Sequence, residues 1–281
     1  MTGQVSDPAA PLAIIAGGGE IPFTLADTLT VKQRPFVIFA IRGVADSRRV
    51  AGYRHHWLGL GQLGRFIRLA RAEGCREIVL IGALRRPSLW RIQMDFGALW
   101  RLPRIIAALR GGDDHLLRNI GRLFEDEGFL MRGVHEFVPQ AVMPEGILTT
   151  KWPSERDRAD IERGLRVLHE NGPRDLGQAV IVANGEILGL EGDDGTDHLL
   201  KQVAAQRQGA GSGVLVKAPK PLQDRRYDLP AIGPTTIAGV AKAALSGIAV
   251  VAGGGIVADL DGTIEAANRA GIFLVGVREG P

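Results

Sequence analysis

One cysteine, Cys75, stands in a chain of 281 residues. A single thiol allows neither an intrachain disulfide framework nor a thiolate metal cluster. Apolar runs are short, and none approaches the roughly 18–20 residues needed to span a bilayer. The opening stretch MTGQVSDPAAPL has no basic n-region and no apolar h-region, so it is not expected to be a signal peptide. A cytosolic protein is expected. There is no internal repeat and no low-complexity tract. Lysine is absent between Arg34 and Arg110, where 15 arginines face only Asp46, Glu73, Glu77 and Asp95. That segment carries about +11 although the whole chain is formally +3. It is either a solvated basic face or a surface for a polyanionic ligand or an anionic membrane. No helix-turn-helix, zinc-finger or RNP-type signature accompanies it, so nucleic acid is not an expected partner.

What is present points to an α/β protein. The length suggests two domains with a substantial core, and 45% apolar residues with 38 glycines fit many turns. Residues 12–16, 35–41 and 77–84 read as strands, and 62–73 as a helix between two of them. That spacing gives βαβ units and a parallel sheet, a Rossmann-like basic domain over 11–140 behind a disordered 1–10. Residues 114–128 continue it as a helix and loop. A second α/β domain, 141–281, holds a helix over 155–171, a type I′ hairpin at Asn184-Gly185, strands at 213–218, 247–253 and 271–277, and a helix over 235–246.

Several stretches could carry chemistry. GGGEIP (17–22) follows the first strand, and Gly17, Gly18 and Gly19 would let the backbone approach a phosphate near a helix N-terminus; otherwise they form a tight turn. Pro22 replaces the third glycine of a dinucleotide fingerprint, and the second strand ends in Arg42 instead of an acid. NAD is therefore not expected, and an NADP-dependent oxidoreductase is an alternative. Residues 85–110 mix arginines with Trp90 and Trp100, suiting a lipid interface or an amphipathic lid or dimer helix pair. Asp113-Asp114-His115 could be metal ligands or a helix cap. The densest stretch is KAPKPLQDRRYDLPAIGPTT (217–236). It combines Lys217, Lys220 and Arg226 with Asp224 and Asp228, and ends in a helix start at Thr235-Thr236. Carboxylates suit Mg²⁺, the cations offset charge on a phosphoryl group, and a rigid solvated loop is the plain alternative. Glu191, Thr196 and Asp197 lie in what reads as an Asp- and Gly-rich turn.

VADLDGTIEA (257–266) imitates the D-x-D-G-T of aspartyl-phosphate enzymes. In that architecture the lysine and the metal-binding acids follow the nucleophile. Only 18 residues follow Thr263, none of them Lys. The stretch is therefore read as a strand, a turn at Asp261-Gly262 and a helix start, with Asp259 no nucleophile.

Taken in order, GGG-x-x-P, GDDHLL (112–117), DLGQA (175–179), EGDDGTD (191–197) and the 217–236 motif resemble the UDP-2,3-diacylglucosamine pyrophosphatases of lipid A biosynthesis unrelated to the calcineurin-like metallophosphoesterases. The resemblance spans Leu12 to Val277. It implies two domains with a ligand cleft between them. It also implies Mg²⁺-dependent hydrolysis of the substrate diphosphate to UMP and 2,3-diacylglucosamine 1-phosphate (lipid X). Asp224 falls on the critical acid; beside it Lys217 and Arg226 are the candidate catalytic cations, Asp224 and Asp228 the candidate metal ligands, and Asp228, Asp197 and Glu191 are unranked candidates for second ligand or base. Gly17, Gly18, Gly19, Gln178, Glu191, Thr196, Asp197, Lys220, Gln223, Thr235 and Thr236 are the implied substrate contacts. Asp193 and Asp194 depart from the pattern, which is expected to hold an apolar or Glu residue there. A glycolipid nucleotide, the cytoplasmic face of the inner membrane and a second copy in a homodimer are the expected partners. A non-enzymatic nucleotide-sugar or lipid binder is the remaining alternative.

Overall fold

The computed structural model describes residues 7–82, 113–172, 177–192, 194–206, 212–220, 224–227 and 229–279. The chain forms two compact units, Met1–Val138 with Arg226–Asp228, and Pro139–Arg225 with Leu229–Pro281.

The first unit runs β1 (Leu12–Ala16), α1 (Ile21–Val31), β2 (Phe36–Ile41), α2 (Ser47–Val50), β3 (His55–Leu58), α3 (Leu63–Ala72), β4 (Glu77–Ile81), α4 (Asp113–Asp126) and β5 (Leu130–Met131). Its sheet has the order β3-β2-β1-β4-β5 with every pair parallel. This is the doubly wound order, and the winding reverses between β1 and β4, where such sheets leave a crevice at their carboxyl ends. All of β1 is buried, as in parallel strands covered on both faces. The helix α3 buries Phe66, Ile67 and Ala70 in one stripe, and Phe66 meets Phe39 and Phe124 edge-on at 4.8 and 4.9 Å. The same core takes in Tyr227, whose ring lies over Gly121 of α4. Cys75 is buried, and burial pushes its thiol up to about 12, so it is an inert packing residue.

The second unit comprises β6 (Gly146–Ile147), α5 (Glu155–Asn171), β7 (Ala179–Ala183), β8 (Glu186–Leu190), α6 (Thr196–Gln206), β9 (Val214–Lys217), β10 (Ala231–Ile232), α7 (Pro234–Lys242), β11 (Gly247–Val251), β12 (Ile256–Val257), α8 (Leu260–Ala270) and β13 (Phe273–Val277). Its main sheet runs β6-β13-β11-β9-β7-β8. Strands β9, β11 and β13 are parallel, and β6, β7 and β8 pair antiparallel with their neighbours. Alternate residues feed two cores. Val180, Val182, Val214 and Val216 pack with Ile161, Val167 and Leu168 of α5. Ala179, Ile181 and Leu215 pack with Leu199, Leu200 and Val203 of α6 and with Ile237 and Val240 of α7. Burial on both faces is why these strands read as unbroken apolar runs.

The helix α5 begins where the sequence predicts it, because Ser154 and Asp157 form a reciprocal capping box. The hairpin is also as expected, with φ of 56° at Asn184 and 79° at Gly185, the sign a type I′ turn demands at both positions. Asp160 on α5, only 1% exposed, accepts the N–H of Asn184 at 3.0 Å and of Gly185 at 2.7 Å. Two charge-assisted bonds therefore hold the turn onto the helix. Asp160→Ala is expected to cost about 2 kcal/mol, read from the urea midpoint, while Asp160→Asn, which keeps one acceptor, loses about half as much. A midpoint within error of wild type in the alanine variant would contradict this anchoring.

Two local expectations change. Thr196 and Asp197 open the helix α6 and do not lie in a turn. Asp261 and Gly262 fall inside the first turn of α8, and the residue outside it is Asp259, left-handed at φ 48°, whose side chain accepts the Gly262 N–H. Asp259 is thus a helix cap. Among the described residues no helix is long and apolar enough to cross a membrane. The interfacial stretch 85–110 lies outside the described residues.

Candidate active site

In the first unit, Gly17–Gly19 leave β1 at the switch point. Gly17 N–H donates to the Ile81 carbonyl at 2.8 Å, which fixes the turn beside the end of β4. At Gly19 φ is +95°, and no atom lies within 4 Å of where its Cβ would stand, so the backbone here is open to an approaching group. The helix α1 starts two residues on, with Pro22 in its first turn and no side-chain cap from Glu20. The Phe23 and Thr24 N–H groups bond to the Glu20 carbonyl, so what the helix presents to this turn is its positive end. Arg42 is exposed at the end of β2. Arg226 pairs with Glu125 of α4 at 2.9 Å, so its guanidinium is shared with a carboxylate. Asp113, Asp114 and His115 open α4, but their side chains are outside the described residues.

In the second unit the sequence motifs converge. Lys217 ends β9 and is 4% exposed. Its Nζ donates to Thr196 Oγ1 at 2.7 Å and to the Ala231 carbonyl at 3.2 Å. Thr196 Oγ1 donates onward to Glu191 Oε1. The other Glu191 oxygen accepts the backbone N–H of Gln178 at 2.7 Å. Burial pushes the Glu191 carboxyl up, but the Lys217 charge, the Thr196 hydroxyl, the Gln178 N–H and the Lys220 charge outweigh it and hold it below the usual carboxylate range. Gly177 makes the approach possible: its φ is +39°, and a Cβ there would lie 2.3 Å from the Glu191 carbonyl oxygen. DLGQA and EGDDGTD are thus two sides of one contact.

The remaining candidates surround this network in the chain. Lys220 and Asp224 are half-buried on the segment that leaves β9. Gln223 and Asp228, on the same segment, lie outside the described residues. Asp197 is exposed in the first turn of α6. Thr235 is exposed and Thr236 buried at the start of α7, where Thr236 Oγ1 accepts the Gly233 N–H at 3.3 Å. The structure therefore joins Gln178, Glu191, Thr196 and Lys217 directly. It adds the Ala231 carbonyl, a main-chain acceptor with no side-chain signature to find it by. Among the described residues no three His, Cys, Asp or Glu side chains converge as a metal cage.

The comparisons with known proteins cover both units. A model of the LpxI N-terminal domain matches residues 11–141, and a model of the LpxI C-terminal domain matches residues 144–275. The UDP-2,3-diacylglucosamine pyrophosphatase LpxI of Caulobacter vibrioides is 39% identical over 275 residues, covering 95% of this chain and 97% of that protein. With both domain models matched and that identity sustained along its length, the chain belongs to the LpxI family.

Proposed function

We propose that the chain hydrolyses the diphosphate of UDP-2,3-diacylglucosamine to UMP and 2,3-diacylglucosamine 1-phosphate, a step of lipid A biosynthesis. The observation that carries this is the 39% identity, over 95% of the chain, to a protein of that activity. The chain's own residues suit the substrate. The open glycine turn at the β1/β4 switch point offers main-chain N–H groups to a nucleotide phosphate. The segment after β9 supplies carboxylates and cations for the reacting phosphoryl group.

In the reaction a water oxygen bonds to one phosphorus, the bond from that phosphorus to the bridging oxygen breaks, and the water proton passes to a carboxylate. Glu191 is a poor proton acceptor, because two donors and two cations hold its charge in place. Asp228 and Asp197 remain as candidates for that role. Asp224 is proposed as the principal acid, and with Asp228 would hold Mg²⁺. One or two carboxylates, completed by phosphate oxygens and water, are what this cation ordinarily takes. Bound Mg²⁺ supplies charge neutralisation on the diphosphate oxygens.

The lipid-linked substrate supports a peripheral position at the cytoplasmic face of the inner membrane. The charge of about +11 between Arg34 and Arg110 supports that placement. A homodimer is the accompanying proposal, from the apolar content of residues 85–110. The test of the activity is hydrolysis by purified protein in detergent with Mg²⁺, then with EDTA. UMP release in the first condition, falling to background in the second, is the expected result. No release in either, beside an active control enzyme, overturns the activity, and release that persists in EDTA overturns the metal requirement.

A further inference from the structure

Lys217 and Ala231 bracket the stretch 218–230, which carries Lys220, Asp224, Arg226 and Asp228. The bond from Lys217 Nζ to the Ala231 carbonyl joins the two ends of that loop. The same ammonium reaches Thr196 at the start of α6, and Thr196 reaches Glu191 just past the end of β8. Glu191 in turn holds Gln178, the residue before β7. One hydroxyl thus sits between a donor and an acceptor whose identities cannot be exchanged. An ammonium only donates, so Thr196 Oγ1 must accept from Lys217 and give its own proton to Glu191. The hydroxyl is locked in one direction, and a buried cation is committed to protein groups.

We infer that Lys217, Thr196 and Glu191 form a clasp at the base of the 218–230 loop, acting as positioning residues for Asp224 and not as contacts of the phosphoryl group. This rests on the hydrolytic reading for its consequence and on the geometry alone for its existence. A connection of 13 residues has many conformers to choose among unless its ends are held. Fixing both of its ends against the sheet removes much of that freedom before substrate arrives, and a misplacement of about 1 Å at a reacting group can cost on the order of 100-fold in rate.

Two measurements separate the clasp from its alternatives. Thr196→Val keeps the shape and removes both hydrogen bonds, whereas Thr196→Ser keeps both. With UDP-2,3-diacylglucosamine as substrate, kcat of the valine variant is expected to fall at least about tenfold with KM within about threefold of wild type. The serine variant should recover kcat to within about threefold. A raised KM with kcat retained would make Thr196 a substrate contact and overturn the inference, as would a serine variant as impaired as valine. The second measurement needs no activity. Urea midpoints of Thr196→Val, Lys217→Met and the double variant should be non-additive, the double variant unfolding close to Lys217→Met alone. Additive shifts would show that no clasp exists. A wild-type protein inactive on this substrate, with the non-additivity intact, would retire the hydrolytic reading and leave the clasp standing.

Discussion

Asp224→Asn is expected to lower kcat on UDP-2,3-diacylglucosamine by about 100-fold or more, with KM changed by less than about threefold. The amide is nearly isosteric, so the loop keeps its shape. What disappears is a full negative charge and a strong oxygen ligand at the proposed reaction centre. Such a group acts in the transition state more than in binding, which is why the loss should fall on kcat. The matching control is Asp259→Asn, the residue in the D-x-D-G-T stretch. Asp259 is exposed, caps α8 and has a left-handed backbone, and Asn serves as well as Asp both at an N-cap and in that conformation. Its turnover should stay within about twofold of wild type. Near-normal kcat in Asp224→Asn would remove Asp224 from the mechanism. A collapse in Asp259→Asn would reopen an aspartyl-phosphate route.

Glu77→Ala is expected to destabilise the first unit by about 3 kcal/mol or more, seen as a fall in melting temperature of about 10 °C. Glu77 begins β4 and is 2% exposed. It pairs with Arg34, from the turn between α1 and β2, and with Arg132, just past β5, at 2.7 Å. Both guanidiniums are themselves largely covered, at 17% and 21% exposed, and both lie against the Phe137 ring, at 4.8 and 5.5 Å. Removing the carboxylate leaves the largely covered Arg34 guanidinium without that partner, while Arg132 keeps its ion pair to Glu136 at 2.6 Å. The penalty comes from that orphaned charge more than from any large net gain in the intact triad, since charges taken out of water lose hydration that pairing only partly offsets. Glu77→Gln, which can still accept from one arginine, should lose less. A shift below about 1 kcal/mol in the alanine variant would mean the arginines find water or other partners.

The outline of both units was legible because their strands are buried on two faces and their helices on one. LAIIA, FVIFAI and AVIVA stand out as runs, and Ser154 with Asp157 marks a helix start in plain residues. The strand β3, HHWL, has no such run and needed the sheet to reveal it. Thr196 and Asp197 read as a turn because the Gly and Asp residues before them hide the helix that follows. The candidate site was legible as a set of motifs, and its members were named from residue type and order. Their connections were not, because Lys217, Thr196, Glu191 and Gln178 come from separate strands and helices.

The residues alone decided the class of fold, through the periodicity of burial, and the chemical repertoire, through which acids and cations occur together. Their order was enough to exclude a nucleophilic Asp259, since no lysine follows it, and to suggest the family. Only the tertiary structure decided what each charged group is free to do. Lys217 looked like a cation for a phosphoryl group, and in the structure its ammonium donates to Thr196 and the Ala231 carbonyl. Glu191 looked like a base, yet the cations and donors around it hold its proton affinity down. A side chain's charge is written in the sequence, whereas its partners are set by groups distant in the chain that packing brings within 3 Å, and those partners determine whether it binds, reacts or holds the frame.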